Sequence, residues 1–96
     1  MTRLQQIHDR RDAILRLAAH YGIHRVRLFG SVTRGEARED SDVDVLVDFE
    51  PGRSLLDQVG FEQDLSAMLG CQVDVVVEGG ISPYLEERIL QEARPL

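Results

Sequence analysis

The chain has little of what several protein classes require. It holds one cysteine, Cys71, among 96 residues. That excludes an internal disulfide framework and leaves the thiol as a small core-type residue ahead of an apolar run. No apolar stretch approaches the roughly 18 residues of a membrane span, and no leader-like segment opens the sequence, so a cytoplasmic location is expected. Basic excess is missing too: 11 Lys and Arg stand against 17 Asp and Glu, a net charge of −6. Non-specific nucleic-acid binding is therefore not its main task, and any site for a polyanion must rely on a few local arginines and on metal. Repeats and low-complexity tracts are absent. There is no room for a second domain, so residues 1–96 are expected to form one. What the chain does have is 43% apolar residues, enough for a single modest core and too many for a disordered segment.

Those apolar residues are distributed with clear periods. Leu4, Ile7, Ile14, Ala18 and Tyr21 recur at helical spacing and predict a helix over 3–21, opened by a Thr2/Gln5 capping box and stopped at Gly22. Its arginines, Arg3, Arg10, Arg11 and Arg16, read as a solvated face, and His8 and His20 join no metal-like cluster. A short strand follows over 25–29, with Val26 and Leu28 on one face and Arg27 and Phe29 on the other. The run 43–49 is the central strand: Val43, Val45, Val47 and Phe49 make a clean apolar face, while Asp42, Asp44, Leu46 and Asp48 make the other. Ser54 and Asp57 form a second capping box, opening a helix to Leu69 whose expected buried stripe is Leu55, Leu56, Val59, Leu65, Met68 and Leu69. Residues 72–77 are a third strand interrupted by Asp74. Ser82-Pro83 then opens a last helix, with Glu86 and Glu87 in its first turn and Leu85, Ile89 and Leu90 directed inward. Helix, strand, strand, helix, strand, helix implies an α/β fold: one small mixed β-sheet packed with helices.

The chemistry concentrates in residues 30–44. A Gly30-Ser31 pair follows the first strand, and Asp42 and Asp44 open the central one. Period-2 alternation points both aspartates the same way, where two carboxylates repel unless a cation or proton lies between them. A hard cation such as Mg²⁺ suits oxygen ligands and brings substrate phosphates with it. Gly30 lets backbone N–H groups approach a phosphate, and Ser31 adds a hydroxyl donor. Arg34, in the turn after them, can contact a triphosphate or serve as a surface charge beside Glu36; Arg38 is a weaker candidate of the same kind. The bland alternative is a surface turn, Asp40-Ser41-Asp42, leading into a strand with one stray acid. Four fixed positions at this spacing arise by chance in roughly one of a thousand chains this long, which favours the metal–nucleotide reading. Asp74 extends it: a buried unpaired aspartate is expensive, so this one needs a cation or donors. The plainer account is a strand-end aspartate held by backbone amides. Asp48, two steps further along its strand, reads as a strand-end cap rather than a ligand.

Gly-Ser, a ten-residue gap and Asp-x-Asp together resemble the signature of the DNA polymerase β-like nucleotidyltransferase superfamily. The run Phe29-Gly30-Ser31…Arg34-Gly35-Glu36-Ala37-Arg38…Ser41-Asp42-Val43-Asp44 is similar to the minimal nucleotidyltransferase (MNT) family within it. Gln72-Val73-Asp74-Val75-Val76 resembles that family's third-carboxylate strand. The likeness spans about Leu4 to Arg94. Val32-Thr33 departs from it, standing where the family often has an Arg-Ala pair. The resemblance implies the polymerase β-like fold and metal-dependent transfer of a nucleoside monophosphate from an NTP. It also implies a setting: an antitoxin that adenylylates a tyrosine of a HEPN-domain ribonuclease toxin with ATP.

On this reading Asp42 and Asp44 hold Mg²⁺ on the ATP phosphates, and Gly30-Ser31 cradles their β/γ end. Asp74 completes a site for two Mg²⁺ ions near the acceptor hydroxyl. The chain is too short to carry an acceptor-binding domain, so the acceptor is expected to be a partner protein, with no direct nucleic-acid or membrane contact. Exposed apolar surface on the first or last helix would be the dock. Two other functions fit less of the sequence: an antitoxin that blocks its toxin sterically, and a nucleotidyltransferase acting on a small molecule.

Overall fold

A computed structural model describes residues 2–35 and 41–96. Glu36, Ala37 and Arg38 of the motif, and Asp40 of the alternative turn, lie outside the described residues. The elements are α1 (Arg3–Asp9), α2 (Arg11–His20), β1 (Ile23–Phe29), β2 (Val43–Phe49), α3 (Leu55–Leu69), β3 (Val73–Val77), α4 (Pro83–Glu92) and β4 (Arg94–Pro95). The sheet runs β3-β2-β1-β4. β1 pairs antiparallel with β2 and β4, whereas β2 and β3 are parallel and joined across α3. This is the mixed sheet expected from the element order.

The core lies on one face of that sheet. Val26 and Leu28 of β1, Val43, Val45 and Val47 of β2, and Val73 and Val75 of β3 meet Ile7, Ile14 and Ala18 from the first two helices and Phe61, Leu65 and Leu69 from α3. Both capping boxes form, at Thr2/Gln5 and Ser54/Asp57.

Beyond the added strand β4 and a β1 that begins at Ile23, four details of the helices differ from the sequence expectation. The helix predicted over 3–21 breaks at Arg10, which adopts φ −106° and ψ 14°. Its N–H turns back to the Ile7 carbonyl at 3.1 Å. The apolar stripe has a gap between Ile7 and Ile14, so no side chain there ties the backbone to the sheet, and the break lets both isoleucines face inward. Arg3 is buried rather than solvated and donates to Gln6 at 2.7 Å. On α3, Leu55, Leu56 and Val59 are exposed, and the buried line is Phe61, Leu65 and Leu69. These three follow strict four-residue steps, and the helix's first apolar residues fall off that line. Finally, α4 buries no residue, and Leu85 and Leu90 face solvent. Its ends are held by polar contacts instead: Glu86 accepts the Gly79 N–H at 2.8 Å, and Glu92 accepts that of Gly30 at 3.3 Å.

Candidate active site

The other face of the sheet carries the acids. In the parallel β2/β3 ladder Asp44 and Asp74 are Cα partners, so their side chains leave the same face side by side. Phe29, the last residue of β1, is the antiparallel partner of Asp44. The chain turns at the next residue into a short 3₁₀ turn, Gly30–Val32. Asp42 precedes β2 and is exposed; Asp44, Asp74 and Ser31 are half-buried. The structure thus brings Gly30, Ser31, Asp44 and Asp74 to one end of three adjacent strands, with Asp42 one step beyond.

Gly30 is required by two constraints at once. Its φ is +76°, a conformation that L side chains rarely adopt. A Cβ there would also overlap Oδ2 of Asp44. The turn closes through the Gly30 carbonyl, which accepts from the Thr33 and Arg34 N–H groups at 3.1 and 3.3 Å.

The electrostatics record the crowding. Burial pushes the Asp44 carboxyl above its ordinary value; Asp74 and Asp42 push it further, Arg34 opposes them, and Glu92 adds to the rise. Such a group is short of positive charge. The Gln72 amide, 3.5 Å from Asp74, is a neutral side-chain donor, and that distance is at the limit of a useful bond. This differs from the backbone-amide cap of the plainer account.

Among the described residues no three His, Cys, Asp or Glu side chains are gathered tightly enough to hold a metal ion by themselves. Mg²⁺ seldom needs such a cage: one or two carboxylates and substrate phosphates suffice, with water completing the shell. The all-oxygen donor set of Asp42, Asp44 and Asp74 fits that requirement.

Asp48 pairs with His24, Nε2 to Oδ2 at 3.3 Å, near the far end of the strand pair. Glu92 was not singled out in the sequence; it pairs with Arg34, Nη1 to Oε1 at 3.0 Å. Its one sequence signal is an acid in the last turn of a helix, where the macrodipole disfavours negative charge. Glu36, the neighbour expected for Arg34, lies outside the described residues.

The left-handed glycine turn faces paired carboxylates at the ends of adjacent strands, and the chain belongs to the nucleotidyltransferase domain family, which matches residues 10–96. It is 41% identical over 87 residues to a Methanocaldococcus jannaschii protein assigned as a protein adenylyltransferase, covering 91% of this chain and 94% of that one. It is 43% identical over 76 residues to the protein adenylyltransferase MntA of Thermococcus cleftensis, covering 79% and 77%. A solved structure described as a minimal nucleotidyltransferase superposes with a TM-score of 0.88 at 53% identity, over 100% of this chain and 97% of the other. A chain from a Shewanella oneidensis complex of a tri-AMPylated HEPN toxin with an MNT antitoxin shares the fold, at TM-score 0.67 and 20% identity, over 88% of this chain and 66% of that one. Among the described residues no helix is long and apolar enough to cross a membrane.

Proposed function

We propose that this chain is a one-domain antitoxin of the cytoplasm that transfers AMP from ATP to a tyrosine of a HEPN-domain toxin and so neutralises it. The observation that carries the reading is the register pairing of Asp44 with Asp74 beside the Gly30 turn. The acceptor class is supported by the adenylyltransferase relatives and by the AMPylated HEPN toxin in the Shewanella complex.

Asp42, Asp44 and Asp74 would hold Mg²⁺, in a two-ion arrangement at full occupancy, which supplies charge neutralisation and polarises the phosphorus under attack. The Gly30 N–H and the Ser31 hydroxyl receive the β/γ oxygens of the triphosphate, and Arg34 adds a guanidinium to them. β3 is an edge strand, so Asp74 lies on the side from which a partner's tyrosine can approach. A phenol has a pKa of about 10; Asp74 takes its proton directly or through water. The phenolic oxygen then forms a bond to the α-phosphorus, the bond from that phosphorus to the bridging oxygen breaks, and pyrophosphate leaves with the electron pair. Positioning and charge neutralisation provide most of the acceleration.

The test is incubation with a HEPN partner protein and ATP labelled at the α-phosphate. Label should move to the partner with the wild-type chain and fail to move with Asp44→Asn. Undiminished transfer by that variant contradicts the assignment. Neutralisation without any transfer points to the steric antitoxin instead.

A further inference from the structure

Glu92 occupies an unusual position for an acid. It closes the last turn of α4, the negative end of the helix dipole, and it lies close enough to Asp44 to raise that carboxyl further. Both effects are unfavourable, so its contacts must compensate for them. Those contacts are specific. Oε2 accepts the N–H of Gly30 at 3.3 Å. Oε1 pairs with Nη1 of Arg34 at 3.0 Å. One carboxylate therefore bridges a left-handed glycine amide and a guanidinium, the two donor types that bind a terminal phosphate.

We infer that Glu92 is an internal occupant of the phosphate cradle, which the β/γ phosphates of an incoming nucleotide must displace. The inference rests on the nucleotide site proposed above. Displacement is physically easy. The Glu92 and Arg34 side chains are 32% and 46% exposed, and ion pairs so open to water are weak. A triphosphate brings more charge to the same donors. Ala93 next to Glu92 is buried and Arg94 pairs with Leu28 of β1, so the backbone stays in place and the half-exposed Glu92 side chain leaves the donors by rotating about its own bonds. Nucleotide entry is in this way coupled to the hold of α4 on the Gly30 turn.

The experiment measures dissociation constants of Mg-ATP, inorganic tripolyphosphate and AMP for the wild-type chain, Glu92→Gln and Glu92→Ala. Glu92→Gln keeps the size of the side chain and a carbonyl that can accept from Gly30, so it guards against loss of the fold. Removing the competing carboxylate should tighten Mg-ATP and tripolyphosphate roughly two- to tenfold. AMP lacks the β/γ end, so its affinity should not change. In Arg34→Ala the effect of Glu92→Gln should shrink, because the two side chains share one contact. Unchanged or weaker Mg-ATP binding in both Glu92 variants, with the wild type binding normally, overturns the proposal and makes Glu92 a support of the turn. An equal gain for AMP overturns it as a general charge effect. If the wild type fails to bind Mg-ATP at all, the nucleotide-site reading itself is lost and this inference with it.

Discussion

The two faces of β2 are built to opposite rules. Val43, Val45 and Val47 are almost wholly buried against three helices. On the other face Asp44 stands beside a second aspartate on β3 and pushes against it. Val43, Asp44 and Val45 thus alternate between the packed core and a crowded group of acids, while Leu46, on the acid face, is itself buried. Period-2 alternation makes this possible: a strand secured by one face can carry strain on the other. Substitutions on the core face should act on stability, and those on the acid face on chemistry, with opposite signs in stability.

The largest effect is expected opposite the apolar face. Phe61, fully buried on α3, should cost about 3–5 kcal/mol as Phe61→Ala, read as a lowered denaturation midpoint with little change in slope. Asp44→Asn should reduce AMP transfer by about a thousandfold. In metal-free buffer the same variant should be slightly more stable than wild type, by about 0.5–1 kcal/mol at this half-exposed position, because a repelled charge is gone. A core-type loss of stability in Asp44→Asn would erase the distinction between the faces.

Gly30→Ala comes next. It forces a side chain into a left-handed conformation, at about 1–2 kcal/mol, and into the space of the Asp44 carboxylate. Nucleotide affinity should fall along with stability.

A pH scan probes the same asymmetry. The native pKa of Asp44 is raised above its unfolded value, so between the two values the native state holds more protons. Its contribution is favourable at the acid end of that window and is lost as pH rises through the native pKa. Metal-free stability should therefore decline across the window in wild type, and this component should vanish in Asp44→Asn. The smallest effect belongs to the cap of α3: Ser54→Ala should cost about 1 kcal/mol and leave transfer unchanged.

Much of this arrangement could be read from local chemistry. The bounds of β2, both capping boxes and the helix-opening Ser82-Pro83 depend on neighbouring residues alone, and each appears where the pattern put it. Asp42, Asp44 and Asp74 stood out because acids interrupt apolar strands. Their mutual placement did not follow from that, since the parallel register of β2 and β3 is a tertiary fact. Phe61 was missed because Leu55, Leu56 and Val59 offered a second apolar line on the same helix, and only docking against α2 and β3 chooses between the two. β4 spans two residues, Arg94–Pro95, too few for any period. Glu92 acts on Gly30 and Arg34 from about sixty positions away, a separation at which no sequence spacing carries information. The break at Arg10 left a faint trace in the gap of the first apolar stripe, visible once the two isoleucines are known to share a core.

On the proposed function, the carboxylates on the acid face are completed by a metal-bound nucleotide. The direct measurement is the melting temperature of the wild-type chain and Asp44→Asn, with and without saturating Mg-ATP. A ligand at about a hundred times its dissociation constant adds roughly 2.7 kcal/mol, a shift of several degrees for a domain this size. That shift is expected in wild type and not in Asp44→Asn. A wild-type protein unmoved by Mg-ATP, or a variant that moves equally, would contradict the proposed function.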